Sequence, residues 1–599
     1  MVDRVLAYPC GRPGAGSSGL LLPAVLLALL LGLSFCCSKS APRPNIILIV
    51  VDALRPDFLS CYGYDRPTSP NIDKLAAGGL LFENAIAHAS WTKPSFATLL
   101  TSLYPFQHGV TDWESVMPDT VSTMPEVLRA NGYATLGIIT MLGLTGEYQV
   151  IRGIDAIYEA PKHELNSTET TAIADSMIAA SRKPFFLLIH YHDAHWPYKP
   201  ADQYVDQVWR EGDPSPGASY GYSPPDETGI PPQEMIDRER LLYSACVRQT
   251  DDGIGRLVES LRRAGLLKST ALIVTADHGE AFWEHRTRAH GFNLYDEVIR
   301  VPLIVNYPAR LKKAARVPDQ VGLVDVMPTV LDLAGANDTS RREGLSLLRV
   351  AEPGGAEPPE RFFPRGVGIS ELELRRAPGV KSLRTLDWKM IVEPSTSARE
   401  VYNLKDDPGE TVNLWGRAGS IEDSLSRIMS RVPGSSLNGW RIALTGKGGE
   451  MSVNFKGRLG GGGRVLGLTR VTGPGDLKLA VDPDSTSFSL EARPRGLQLV
   501  LLDVTPLDAE VYLDAEPRGK DAPAAANVGV NATYAVPGRF TLATEACRGL
   551  PSRFQDFRRD ERPGIFLWWL PGEQWQRAGR QATLSNEQRK RLRALGYVQ

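Results

Sequence analysis

Continuous apolar runs rich in β-branched residues recur through the N-terminal half of the chain, at Asn45–Val51, Tyr133–Ile139, Pro184–Tyr191, Thr270–Ala276 and Val301–Asn306. A strand with one wet face would alternate, whereas an unbroken run predicts burial on both faces, as in a largely parallel sheet. Helical periodicity fills the intervals at Ile72–Gly78, Pro94–Leu103, Met124–Asn131, Arg238–Ala264 and Leu323–Ala334, the last stopped by Gly335. Strands and helices in alternation predict an α/β fold, a mostly parallel sheet sandwiched by helices. One interval, Glu211–Gln233, is rich in Pro, Gly, Ser and Tyr and reads as a long surface loop.

The pattern changes at Pro353–Pro364. Short strand patterns follow at Trp388–Val392 and Val401–Leu404, then a helical stretch near Ser420–Val432, which together predict a small α+β subdomain. Farther on, alternating patches such as Gly496–Val504 and Glu510–Leu513, together with the run Gly460–Gly463, predict a β-rich accessory domain. Thr583–Tyr597 reads as a basic helix with Ser585 as N-cap and Gln588 at N3. The expected division is a leader over 1–40, a catalytic α/β core over 41–352, its C-terminal subdomain over 353–434, the β-rich domain over 435–565 and a closing segment over 566–599.

Arg4 and Arg12 precede an apolar run from Gly19 to Phe35, and Cys36-Cys37-Ser38-Lys39 follows it. That is the layout of a secretory signal or a short membrane anchor. Leu33-Ser34-Phe35-Cys36 is similar to a lipoprotein lipobox except that Phe35 is bulky, so Cys36 is a candidate for lipidation and membrane tethering. The expected address is extracytoplasmic, in a periplasm or cell envelope. With 67 basic and 69 acidic residues the net charge is −2, and no nucleic-acid motif is present, so a polyanion binder is excluded. Past the leader only Cys61, Cys246 and Cys547 remain, which is no disulfide framework and no CxxC metal site.

Three separated strand patterns end in metal-type ligands. Ile46–Val51 runs into Asp52, Phe185–His190 is followed by Asp193 and His195, and Ala271–Thr275 leads to Asp277-His278-Gly279-Glu280. Ligands of open α/β sheets gather beyond the carboxyl ends of the strands, so these groups are expected to meet in one crevice and hold a metal ion. Strand alternation assigns His190 and His192 to the sheet itself, and His285 is left without a role.

Several motifs form an ordered set with these strand ends. They are Arg43-Pro44-Asn45 through Asp52 to Asp57, Thr68-Ser69-Pro70-Asn71-Ile72-Asp73, Thr92-Lys93-Pro94-Ser95, and His195-Trp196-Pro197-Tyr198. Thr275-Ala276-Asp277-His278-Gly279-Glu280, Arg300-Val301-Pro302-Leu303-Ile304 and Tyr402-Asn403-Leu404 with Asp407-Pro408 and Glu410 continue it. The set resembles the landmarks of the sulfatase family, within the alkaline phosphatase superfamily, over about Pro44–Trp415. The closing Leu595-Gly596-Tyr597-Val598 is similar to the end of many bacterial members. The resemblance implies the alkaline-phosphatase/sulfatase-like fold, with Asp52, Asp277 and His278 holding a metal ion and the Thr92 side chain as its remaining ligand. It further implies that His195 and His290 contact the ester group or protonate the leaving oxygen. His290 stands where many sulfatases have lysine. Arg300 and Asp325 match the pattern too, with packing or capping roles expected.

The chain departs from that pattern at its chemical centre. Thr92 occupies the place of the cysteine or serine of the C/S-x-P-S-R signature, where oxidation yields an aldehyde; threonine could yield only a ketone. Phe96 replaces the signature arginine, and Ala53 replaces a second aspartate. Fewer carboxylates and the His278 imidazole favour one zinc or manganese ion over calcium. A metal-activated Thr92 hydroxyl is a competent nucleophile at phosphorus. The expected activity is therefore phosphoester hydrolysis or transfer, of phosphodiester type, on a small-molecule, lipid-headgroup or glycan ester. Two alternatives stand beside it: a sulfuric ester hydrolase acting on extracellular sulfated substrates, and a non-catalytic glycan-binding protein.

Overall fold

The structure is a computed structural model that describes residues 43–570 apart from internal stretches, of which the longest are 216–229, 352–362 and 543–563. The leader with Cys36, most of the Glu211–Gln233 loop, the Gly460–Gly463 run and the Thr583–Tyr597 helix lie outside the described residues. Among the described residues no helix is long and apolar enough to cross a membrane.

The strands of the central sheet are β1 (Asn45–Val51), β2 (Leu80–Ile86), β3 (Ala134–Ile139), β4 (Ala156–Glu159), β5 (Phe185–Tyr191) and β6 (Thr270–Ala276). After a two-residue hairpin, β7 (Ala281–Phe282) and β8 (Arg288–Ala289), come β9 (Arg300–Asn306) and β10 (Ala315–Gly322). The sheet order is β10-β2-β9-β6-β1-β5-β3-β4. The apolar runs of β1, β5 and β6 are buried along their whole length, as their unbroken pattern requires. Helices pack in two groups, Pro70–Ala77, Ser167–Ala180 and Gln233–Arg263 in one, Thr92–Thr101, Met124–Ala130 and Val326–Ala334 in the other.

Sequence patterning missed three strands of this sheet and one direction. β2 is broken by Glu83 and Asn84, and β10 carries Pro318 and Asp319 at a bulge, so neither shows a clean apolar run. β4 is a short edge strand exposed at every position. β9 runs antiparallel to both β2 and β6, which makes the sheet mixed. Pattern alone carries no strand direction.

A four-stranded antiparallel sheet follows, made of β11 (Gly368–Leu374), β12 (Ala377–Arg384), β13 (Trp388–Glu393) and β14 (Ala398–Asn403), with the helix Ser420–Met429 after it. Strands between Gly439 and Leu570 form a six-stranded and a five-stranded sheet. Ile442, Leu444, Val500 and Leu567 of the first share one apolar core with Val453, Phe455, Leu490 and Leu513 of the second. The alternating burial of Ser452–Leu459 is that of a strand with one face in such a core.

Candidate active site

Parallel pairing of β5, β1 and β6 brings their carboxyl ends level. Val51 pairs with Tyr191 on one side and Ala276 on the other, so Asp52 and Asp277 emerge side by side. The helix Thr92–Thr101, buried throughout, begins at the same place, with Thr92 at its first position after an extended Trp91. Ser95 Oγ ties that helix to β6 by donating to the Asp277 carbonyl. The Lys93 ammonium donates to the Trp113 carbonyl at 2.8 Å and lies 3.9 Å from the Tyr148 ring centroid.

Each carboxylate has one oxygen anchored and one offered. Asp277 Oδ1 accepts from the backbone amides of Ala53 at 3.2 Å and His278 at 2.9 Å. Ala53 sits at φ 57°, in the left-handed region, which turns its amide toward that oxygen. Asp52 Oδ2 accepts from His192 Nδ1 at 3.0 Å. The remaining oxygens, Asp52 Oδ1 and Asp277 Oδ2, are buried without a hydrogen-bond partner.

His278 Nε2 lies between these groups, 3.4 Å from Asp52 Oδ1, 3.3 Å from Asp277 Oδ2 and 3.2 Å from Thr92 Oγ1. Its Nδ1 is 2.8 Å from the Gly279 carbonyl, which can only accept, so Nδ1 carries a proton there. Two buried carboxylate oxygens without hydrogen-bond partners and a ring nitrogen thus face one another, a set of donors that suits a cation among them. Titration agrees. Burial, then the neighbouring Asp52 charge, pushes the Asp277 carboxyl up to about 7. Burial also opposes ionisation of Asp52, but His195, His190 and His192 outweigh it and hold that carboxyl well below its ordinary value. The four residues expected as metal ligands thus meet, and their chemistry fits a divalent ion.

The rings of His195 and His290 are 5.0 Å apart, and His290 is 4.2 Å from His278. His195 Nδ1 donates to the Trp196 carbonyl at 2.5 Å, and His290 Nδ1 lies 3.0 Å from Glu280 Oε1. Burial lowers His195 to about 3 and His290 to about 4, so both are neutral bases at pH 7.

The structure corrects the assignment of His190 and His192 to the sheet alone. His190 Nε2 is 3.4 Å from Asp52 Oδ2, and one ligand atom from each of Asp52, His190 and Asp277 lies within 4.8 Å of the others. His192 stacks on His195 with centroids 4.5 Å apart. Alternation placed both residues in the strand, but β5 ends at Tyr191 and His192 lies just past it; only the register of β5 against β1 shows that His190 meets Asp52. Asp193 turns elsewhere, accepting from the Ser167 amide at 3.2 Å and from Gln249 Nε2. His285 pairs with Glu297 at 2.8 Å, outside the cluster. Asp325 accepts from the Gly322 and Leu345 amides at 2.9 and 2.7 Å, and Arg300 donates to the Glu83 carbonyl at 2.9 Å.

Comparison with known proteins places this arrangement. The family model described as Sulfatase matches residues 44–336, and that described as N-sulphoglucosamine sulphohydrolase, C-terminal, matches 284–432. The chain is 25% identical over 500 residues to the N-acetylglucosamine-6-O-sulfatase of Bacteroides thetaiotaomicron, covering 67% of this chain and 88% of that one. It is 26% identical over 448 residues to human iduronate 2-sulfatase, covering 57% and 80%. Among solved structures, one bound to its substrate D-glucosamine-2-N,6-O-disulfate aligns with a TM-score of 0.53 at 23% identity, covering 65% and 97%. The phosphonate monoester hydrolase of Agrobacterium radiobacter aligns with a TM-score of 0.53 at 19% identity, covering 65% and 96%.

Proposed function

We infer that this chain, whose residues 44–432 belong to the sulfatase family of metal-dependent ester hydrolases, cleaves sulfuric esters, with sulfated sugars as the substrate class. The observation that carries the reading is the Thr92 hydroxyl set among Asp52, Asp277 and His278, with two neutral imidazoles alongside, in a chain whose curated relatives bear sulfatase names. Those names favour the sulfuric-ester alternative over the phosphodiester activity expected first from Thr92.

A divalent ion held by Asp52, Asp277, His278 and Thr92 would acidify the hydroxyl and neutralise charge developing on the ester oxygens. The protein's own groups supply the rest. The amino end of the helix Thr92–Thr101 adds positive potential where an anionic ester group would sit. Thr92 Oγ1 attacks the central sulfur as His195 or His290 takes its proton. The ester S–O bond breaks, its electron pair leaves with the sugar oxygen, and the imidazole returns the proton to that oxygen. Water then attacks the sulfur of the sulfo-threonine as His195 or His290 takes its proton, and the S–Oγ1 bond breaks, its electron pair leaving with Oγ1, which takes that proton back to release sulfate and restore Thr92.

A phosphoester substrate is the second reading, and Thr92 favours it. With no aldehyde to collapse through its hydrate, the enzyme must release its covalent intermediate by attack of water at the central atom, a route open to phosphothreonine. Matched aryl sulfate, phosphate monoester and phosphodiester substrates, turned over by metal-loaded protein with Thr92→Ala as control, decide between the two. Sulfate turnover that the variant loses is expected. Phosphodiester turnover alone would overturn the sulfuric-ester reading. The leader read from the sequence supports an extracytoplasmic place of action.

A further inference from the structure

We propose that His190 is a direct ligand of the metal ion, filling through Nε2 the coordination position that Ala53, lacking a carboxylate, leaves without a donor. The proposal rests on the reading of Asp52, Asp277, His278 and Thr92 as an ion site.

Four adjacent strands build the placement. β3, β5, β1 and β6 are neighbours in the sheet, and Val50 of β1, two residues before Asp52, pairs with His190 of β5. His190 is fully buried, and its Nε2 faces Asp52 Oδ2 at 3.4 Å without forming a well-aligned hydrogen bond to it. A buried polar nitrogen without a partner costs about 1–3 kcal/mol unless something else satisfies it. Its Nδ1 is 2.9 Å from Thr140 Oγ1, just past the end of β3. With Nδ1–H donated to that hydroxyl, the Nε2 lone pair is left for an ion, the outer contact that orients most metal-bound imidazoles.

Phe96 completes the case. Its ring meets the His190 imidazole edge-on, with centroids 4.9 Å apart and planes at 78°. An arginine in this place, as in the signature the chain otherwise resembles, would set a guanidinium against the imidazole and compete with an ion for the carboxylates. Phe96 instead gives His190 an apolar wall that fixes its ring. The departures at 53 and 96 therefore belong together with His190: a carboxylate and a cation are absent, and a nitrogen donor is present. Two imidazoles among five protein donors define a site that prefers zinc or manganese to calcium, since calcium takes oxygen ligands.

The test is metal binding rather than turnover. Metal-stripped full chain is titrated with zinc and with calcium, and the zinc-loaded protein is examined by X-ray absorption. Two imidazole shells per zinc are expected in the wild type, and one in His190→Ala. Zinc affinity is expected to fall at least about 10-fold in His190→Ala, and by about 10–100-fold in Thr140→Val. One imidazole in the wild type, a count that needs no variant, would overturn the proposal. So would wild-type zinc affinity in a folded His190→Ala. Failure of the wild type to bind any divalent ion would instead remove the ion site on which the proposal rests.

Discussion

Glu280 Oε1 lies 3.0 Å from His290 Nδ1, and both side chains are buried. Burial pushes the Glu280 carboxyl up to about 7, so near neutrality the pair shares a proton. Glu280 thereby decides which His290 nitrogen faces a substrate and acts as a positioning residue. His290→Ala should slow sugar or alkyl esters by about 10²–10⁴-fold and nitrophenyl esters far less, since their leaving groups need no proton. Glu280→Gln should give a smaller loss of kcat with the same dependence on leaving group and little change in KM. Equal losses for both kinds of ester would remove His290 as the proton donor.

Thr92 sits 3.2 Å from His278 Nε2 at the first position of a buried helix. Thr92→Ala should lower kcat by roughly 10⁴–10⁶-fold, the scale of losing a nucleophile, with the fold intact by circular dichroism. Thr92→Ser keeps the hydroxyl and should keep most of the rate. Turnover by the alanine variant within tenfold of wild type would place the nucleophile elsewhere.

Chelation offers a third check. Two carboxylates and the His278 ring nitrogen crowd one buried site, a donor set suited to a cation. Stripping the metal should abolish turnover and lower the Tm, because an ion present at 100 times its Kd adds about 2.7 kcal/mol of stability. Zinc or manganese should restore both activity and Tm more fully than calcium. Calorimetry of stripped and reloaded protein reads this directly, and superior rescue by calcium would contradict the donor set.

A buried charge network joins the central sheet to the four-stranded one. Asp296 pairs with Arg384 at 2.9 Å and Lys389 at 2.8 Å, and Glu410 also pairs with Lys389 at 2.8 Å. Burial opposes ionisation of Asp296, but Arg384 and Lys389 hold its carboxyl well below the ordinary 3.8. A depressed carboxyl contributes stability that is present above its unfolded value and lost as pH falls toward its folded one. Asp296→Asn should destabilise the protein by about 3 kcal/mol at pH 7. The gap between wild type and variant should begin to close below about pH 3.8, where the unfolded carboxyl takes up its proton. Denaturant unfolding of both proteins at pH 7 and near pH 3 measures it, and a constant gap would mean that Asp296 contributes through shape rather than charge.

The strands that matter most are legible in the residue pattern alone. β1, β5 and β6 are unbroken apolar runs because they are buried on both faces, so their extents and the ligands at their ends are legible without any partner. Asp52, Thr92, Asp277 and His278 were readable as a set because each belongs to a local motif. Tertiary structure alone decided what depends on which strands are neighbours. His190 looks like any buried strand residue until parallel pairing with β1 sets its Nε2 beside Asp52. Phe96 looks like a lost arginine until its ring is seen against His190. Asp193, an acid beyond a strand end like the others, accepts from Ser167 and Gln249 while its neighbours His192 and His195 face the cluster. Local pattern fixes which residues are buried and which can bind. Strand order and register, set by contacts between residues far apart in the chain, fix which of them meet.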